Sequence, residues 1–142
     1  MVFYGFTELR GGLMNNPSLK EKVIHSTPWI PYSYYWQVLS KSYHHVLPHW
    51  HTEFEINYIV SGRLEFHSDS QKAIASSGDI VIVQPNALHS IYQIASSPQA
   101  NQYHTLVFNH SILSCQKEER AFVKVLEPVI NGNVTLPSPI TR

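Results

Sequence analysis

The residues best suited to chemistry lie in one stretch, His49-Trp50-His51-Thr52-Glu53-Phe54-Glu55-Ile56-Asn57-Tyr58-Ile59-Val60-Ser61-Gly62. In an extended strand, residues two apart share a face. His49, His51, Glu53 and Glu55 therefore project one way, and Trp50, Thr52, Phe54 and Ile56 the other. In an open sheet this is an ordinary wet face over a dry one. Inside a barrel, imidazoles and a carboxylate at this spacing converge on a small molecule or a transition metal. A second stretch favours the inward reading: Gly78-Asp79-Ile80-Val81-Ile82-Val83-Gln84-Pro85-Asn86-Ala87-Leu88-His89 joins a turn glycine, a β run, a proline and a further histidine. Glu53 shares the face only under strict alternation. A corner or bulge would turn it to solvent, so it is left out of the candidate site.

Positioning such a set requires strands, and the pattern supplies them. Short β runs are expected over Tyr34–Ser40, His49–Val60, Arg63–His67, Lys72–Ala75, Asp79–Gln84, His89–Ile94 and Tyr103–Phe108. Turn chemistry separates them at Ser61-Gly62, Ser68-Asp69-Ser70, Ser76-Ser77-Gly78 and Pro85-Asn86. Residues 1–33, broken by Gly11-Gly12, Asn15-Asn16-Pro17, Pro28 and Pro31, read as an irregular arm; 34–110 as the barrel; and 111–142 as a helix and the start of a linker. Phe122, Val125, Leu126 and Val129 recur at helical spacing behind Ser114, a suitable N-cap, with Glu118 and Glu119 near the first turn. The expected fold is all-β, with an N-terminal arm and a C-terminal amphipathic helix.

The two stretches resemble the paired motifs of the cupin superfamily. The first, H-x-H-x3-E-x6-G, is met by His49, His51, Glu55 and Gly62; the second by Gly78, Pro85 and His89, with Asn86 in place of its internal glycine and Gln93 in place of its last asparagine. Pro48-His49-Trp50-His51, the run from Gly78-Asp79 to His89-Ser90, and Leu126-Glu127-Pro128-Val129-Ile130-Asn131-Gly132 together resemble the N-terminal effector-binding domains of AraC/XylS-type transcription regulators. The resemblance implies a double-stranded β-helix (jelly-roll) barrel. In the intact regulator, dimerisation helices and a helix-turn-helix DNA-binding domain follow it.

It also implies that His49, His51, Glu55 and His89 occupy the four positions that bind metal in metal-dependent cupins, a set suited to Zn, Ni, Fe or Mn. The other reading is that these four hydrogen-bond one another and an effector, with no cofactor required. Trp36 is added as an aromatic wall of an effector pocket, since apolar walls with a few polar groups are how such pockets hold small molecules. His44, His45, His67, His104 and His110 fall outside the motif spacings and read as surface or ordinary packed histidines.

Composition narrows the functions. Ten basic and ten acidic side chains balance, so this chain has no footprint for neutralising phosphates; DNA is expected as a partner only through a domain outside it. Hydrophobic residues at 43% and charged residues at 14% describe a chain that folds. A lone Cys115 and the lack of a signal or a long apolar run point to the cytoplasm, with no membrane partner. The expected function is a sensor that binds a sugar or other small organic effector in the barrel, with a homodimer compatible. Beyond the His/Glu set no acid or base other than Glu53 stands out, so the chain is expected not to be an enzyme. The alternative is a small metal-dependent cupin enzyme, a dioxygenase or isomerase, in which the metal polarises the substrate.

Overall fold

The computed structural model describes residues 16–69, 71–94, 100–113, 120 and 122–141. The first part of the arm, Cys115, and the helix start expected at Ser114, Glu118 and Glu119 lie outside these residues.

Among the described residues eight strands form: β1 (Tyr32–Leu39), β2 (His45–His49), β3 (Phe54–Ser61), β4 (Arg63–Ser68), β5 (Gln71–Ser76), β6 (Ile80–Val83), β7 (His89–Gln93) and β8 (Asn101–Phe108). They pair antiparallel into two four-stranded sheets, β1-β8-β3-β6 and β2-β7-β4-β5. This is the expected all-β, two-sheet cupin-type fold. Three of the crossings between sheets use left-handed backbone. Gly62 (φ 87°) carries β3 into β4, Gly78 (φ 95°) stands between β5 and β6, and Asn86 (φ 65°) between β6 and β7.

The single strand expected over His49–Val60 is in fact two, separated by a bend at Thr52-Glu53. β2 escapes the sequence pattern because Pro48 interrupts it. The proline is tolerated because β2 is an edge strand, with a register shift between Val46 and His49 that releases the ladder.

Between the sheets Leu39, Ile59, Leu64, Phe66, Ala75, Val81, Ile91 and Tyr103 form the core, each at most 4% exposed. Along β3 the inward positions pass from Ile59 through Asn57 to Glu55, all buried, so one strand runs from apolar core to ionisable site. The opposite face of β3 is also covered. Phe54 and Phe108 stack at 5.5 Å and pack with Val129 and Leu136 of the C-terminal segment.

That segment contains a π-type turn (Phe122–Leu126) leading into a short helix, α1 (Glu127–Ile130). Phe122 and Val129 are buried, but Val125 is 59% exposed, because the wider π turn rotates it off the helical face that regular spacing predicts. Gln84 holds the segment down, donating to the carbonyls of Val129 and Val134 and accepting from the Leu136 amide. No described helix is long and apolar enough to cross a membrane.

Candidate metal and ligand site

β2 and β7 place two of the motif histidines opposite each other, since His49 pairs with His89 and their rings lie 4.2 Å apart. The Thr52-Glu53 bend displaces Glu53 from the shared face and lets the next strand deliver Glu55 to the same point. His51 completes the group from the connection between β2 and β3. One ligand atom from each of His49, His51, Glu55 and His89 lies within 4.8 Å of those of the others, and all but His49 are buried.

The backbone sets the tautomers. Nδ1 of His49 lies 2.8 Å from the Leu47 carbonyl, Nδ1 of His51 3.1 Å from that of Glu53, and Nδ1 of His89 2.9 Å from that of Ala87. A carbonyl only accepts, so each Nδ1 carries the hydrogen and each Nε2 turns a lone pair toward the cluster. Glu55 is oriented in the same way. Its Oε1 accepts from Asn57 Nδ2 at 2.7 Å, and Asn57 Oδ1 accepts from Thr105 Oγ1 at 2.7 Å.

This leaves Glu55 Oε2, an acceptor, facing two further acceptors, Nε2 of His51 at 3.2 Å and Nε2 of His89 at 3.6 Å. His89 Nε2 is buried with no hydrogen-bond partner. Lone pairs directed at one another in a buried site need a cation or a proton between them. The donor set therefore fits a divalent transition metal, with Nδ1 contacts of the kind that orient metal-binding imidazoles.

The protonation equilibria express the same demand. Burial opposes ionisation of Glu55, but the charges of His89 and His51 override it and hold the carboxyl well below its usual range. Burial works against protonation of His89, yet the Glu55 carboxylate raises it above an ordinary histidine. His49 is lowered by burial and by the charge of His89.

Protons must therefore compete with metal first at His89. Divalent-metal affinity is expected to fall as the pH drops through the raised range of His89, with His49, whose range is lowered, adding its loss further down. Competition titrations across that range check this, and a flat profile would contradict it.

A cavity of about 470 Å³ opens onto His49 and Glu55. Its walls include Tyr35, Gln37, Val46, Ile91 and Thr105, with neither lysine nor arginine among the described lining residues. Trp36, expected in the pocket, is not there: it is 55% exposed on the outer face, edge-on to His104 at 4.6 Å. Strand alternation turns Tyr34 and Trp36 outward and brings Tyr35 and Gln37 inward. His104 accompanies Trp36 on the outside, and His67 pairs with Glu65, but His44 and His45, read as ordinary histidines, line the cavity.

Sequence reasoning missed Glu21 and His25. Both line the cavity, and His25 is 6% exposed. Their i, i+4 spacing was visible, but nothing periodic in the arm showed that it packs against the barrel. The expectation that this chain is not an enzyme is also corrected. It rested on the lack of a catalytic group beyond the His/Glu set, whereas the buried set is itself competent to chelate a metal, which acts as a Lewis acid without a further side chain.

Over residues 37–115 the chain matches a family described as AraC-like ligand binding domain. Among solved structures it is similar to an RmlC-like cupin with a double-stranded β-helix fold from Methanocaldococcus jannaschii, with TM-score 0.52 and 17% identity over 64% of this chain and 80% of that one. A cupin 2 conserved barrel domain protein from Salinispora arenicola aligns with TM-score 0.50 and 20% identity over 67% and 74%. A conserved protein of unknown function from Streptococcus pyogenes aligns with TM-score 0.50 and 18% identity over 56% of this chain and 65% of that one, so less than two thirds of its length is spanned. At these identities the likeness is one of fold. Comparison with curated proteins finds no match.

Proposed function

The chain belongs to the family of AraC-like ligand binding domains, and on that premise we propose that it is a metal-dependent cupin barrel acting on a small organic molecule, an enzyme of the dioxygenase or isomerase type. The observation that carries the reading is the buried meeting of two Nε2 lone pairs, those of His51 and His89, with Glu55 Oε2 beside the half-buried His49, an arrangement that calls for a cation. His49, His51, Glu55 and His89 hold the metal. When bound, it supplies Lewis-acid polarisation of an oxygen on the substrate.

The rest of the chemistry belongs to the chain. Val46, Ile91 and Val107 exclude water from one side of the cavity, while Gln37 and Thr105 offer hydrogen bonds that orient a polar ligand. The absence of lysine and arginine from the described walls favours a neutral, hydroxylated molecule over a polyanion.

A second reading shares the cavity. Here the domain is the effector-sensing part of an AraC-type bacterial transcription regulator in the cytoplasm, and binding of a sugar or similar effector is passed to a DNA-binding domain outside this chain. The family match over 37–115 favours it.

One experiment tests both. Metal-loaded protein is screened by thermal shift against neutral polyols, hydroxy acids and amines, since a ligand of the folded state raises the melting temperature. Each hit is then incubated with the protein and followed by NMR. Conversion of the hit is the expected result. A hit returned unchanged with loaded metal would replace the enzyme by the sensor, and a lack of both metal and hits would sink the whole reading.

A further inference from the structure

The arm brings a second carboxylate to the edge of the cluster, beside His49. Trp50, the residue between His49 and His51, forms a parallel bridge with Lys20; its amide donates to the Leu19 carbonyl at 3.0 Å, and the Glu21 amide donates to the Trp50 carbonyl at 3.0 Å. The indole is engaged as well, with Nε1 donating to the Asn16 carbonyl at 3.2 Å and Lys20 Nζ over the ring at 5.3 Å. The arm is therefore fastened to the peptide that joins two of the metal-facing histidines.

That register sets Glu21 Oε2 3.6 Å from Nε2 of His49, the nitrogen that faces the cluster. The same oxygen accepts from His25 Nε2 at 2.7 Å, and His25 Nδ1 accepts from the Tyr35 hydroxyl at 2.8 Å. Glu21 is thus held by a buried imidazole that is itself held by β1, in the wall of the cavity onto which Glu55 opens.

Two donors bound to one cation at about 2.0–2.2 Å lie about 2.8–3.6 Å apart when the angle at the metal is between a right angle and tetrahedral. The separation of Glu21 Oε2 from His49 Nε2 is already within that range. Charge points the same way. Three neutral imidazoles and Glu55 leave a divalent ion with one uncompensated positive charge in a buried site, and a second carboxylate removes it.

We propose that Glu21 is a fifth group of the metal site, a carboxylate that the arm supplies to the cation held by His49, His51, Glu55 and His89, with His25 as its positioning residue. The inference rests on the metal reading above. It makes the arm part of the site's wall and its charge.

The test uses Co²⁺ alone as the probe, with the whole chain purified without a histidine tag. Affinity is measured by competition with a chromophoric chelator, and coordination by the visible ligand-field spectrum. Glu21→Gln is expected to weaken Co²⁺ at least tenfold, within the roughly 10–100-fold cost of losing a group that supports a metal site. It should also alter the spectrum while leaving the metal-free melting temperature nearly unchanged. Glu21→Asp, which keeps the charge and shortens the reach, should recover part of the affinity.

If wild type binds Co²⁺, His51→Ala does not, and Glu21→Gln matches wild type in affinity and spectrum, the proposal is overturned and the metal reading stands. If wild type binds no Co²⁺, both are wrong.

Discussion

Wild-type chain purified without a tag and loaded with a divalent transition metal is expected to hold one ion, and His51→Ala to hold none, by elemental analysis after gel filtration. His51 is the group whose loss should cost most. Its Nε2 is 3.2 Å from Glu55 Oε2, and its ring also packs on His25, His49 and His89 at 5.0–5.9 Å between centroids.

Alanine removes one donor and leaves Glu55 buried with less compensation. The loss is expected to be large enough that the ion does not survive gel filtration, because the variant loses a backbone-oriented donor and at the same time leaves the Glu55 carboxylate under-compensated. Loading should also raise the melting temperature of wild type, since a ligand at about a thousand times its dissociation constant stabilises the folded state by about 4 kcal/mol. His51→Ala should show no such rise. Stoichiometric metal in the variant would mean that the cluster is not where metal binds.

The second large effect concerns the glycine of the first motif. Gly62→Ala is expected to destabilise the metal-free protein by about 3 kcal/mol, from two separable costs. Gly62 has φ of 87°, a left-handed conformation in which a side chain is strained by about 1–3 kcal/mol. A Cβ there would also lie 2.0 Å from Asn101 Oδ1 and 2.8 Å from Asn101 Cγ. Asn101 is fully buried, and its Oδ1 accepts from the Arg63 amide at 2.8 Å, so moving it aside breaks a bond that holds the start of β4.

Urea denaturation should show a lower midpoint at unchanged slope, as expected when stability changes and the unfolded state does not. A loss under about 1 kcal/mol would show that the β3–β4 crossing can relax around the new methyl. The glycine therefore serves the site indirectly. It lets the chain leave the sheet of β3 and enter the sheet of β4 within one residue.

These results bear on the choice between enzyme and sensor. Both readings place a small molecule in the cavity beside the His/Glu set, and both need the barrel intact. They part on what becomes of the molecule, which is why following the bound ligand by NMR separates them where affinity alone does not.

What was legible in the sequence follows from local rules. Alternation of side chains along a strand marks one polar and one apolar face, and glycine and asparagine mark where the backbone turns. The succession of short strands was readable for that reason, whereas the grouping of His49, His51, Glu55 and His89 came from the resemblance to the cupin motifs, since His89 lies on a separate strand and meets His49 only through the pairing of β2 with β7. The same rule misassigned Trp36, because alternation says which residues share a face and not which face is inward.

Tertiary structure alone decided the rest. It split the expected long strand at Thr52-Glu53, turned Val125 outward at a π turn, and brought His44 and His45 to the cavity wall. Above all it placed Glu21 and His25 against the cluster. Their neighbours there, Tyr35, His49 and His51, are 10 to 28 positions away along the chain, and the hydrogen bonds that set the arm's register run from its backbone to Trp50. Backbone amides and carbonyls are the same at every residue, so no side-chain pattern in the arm could reveal where they would pair.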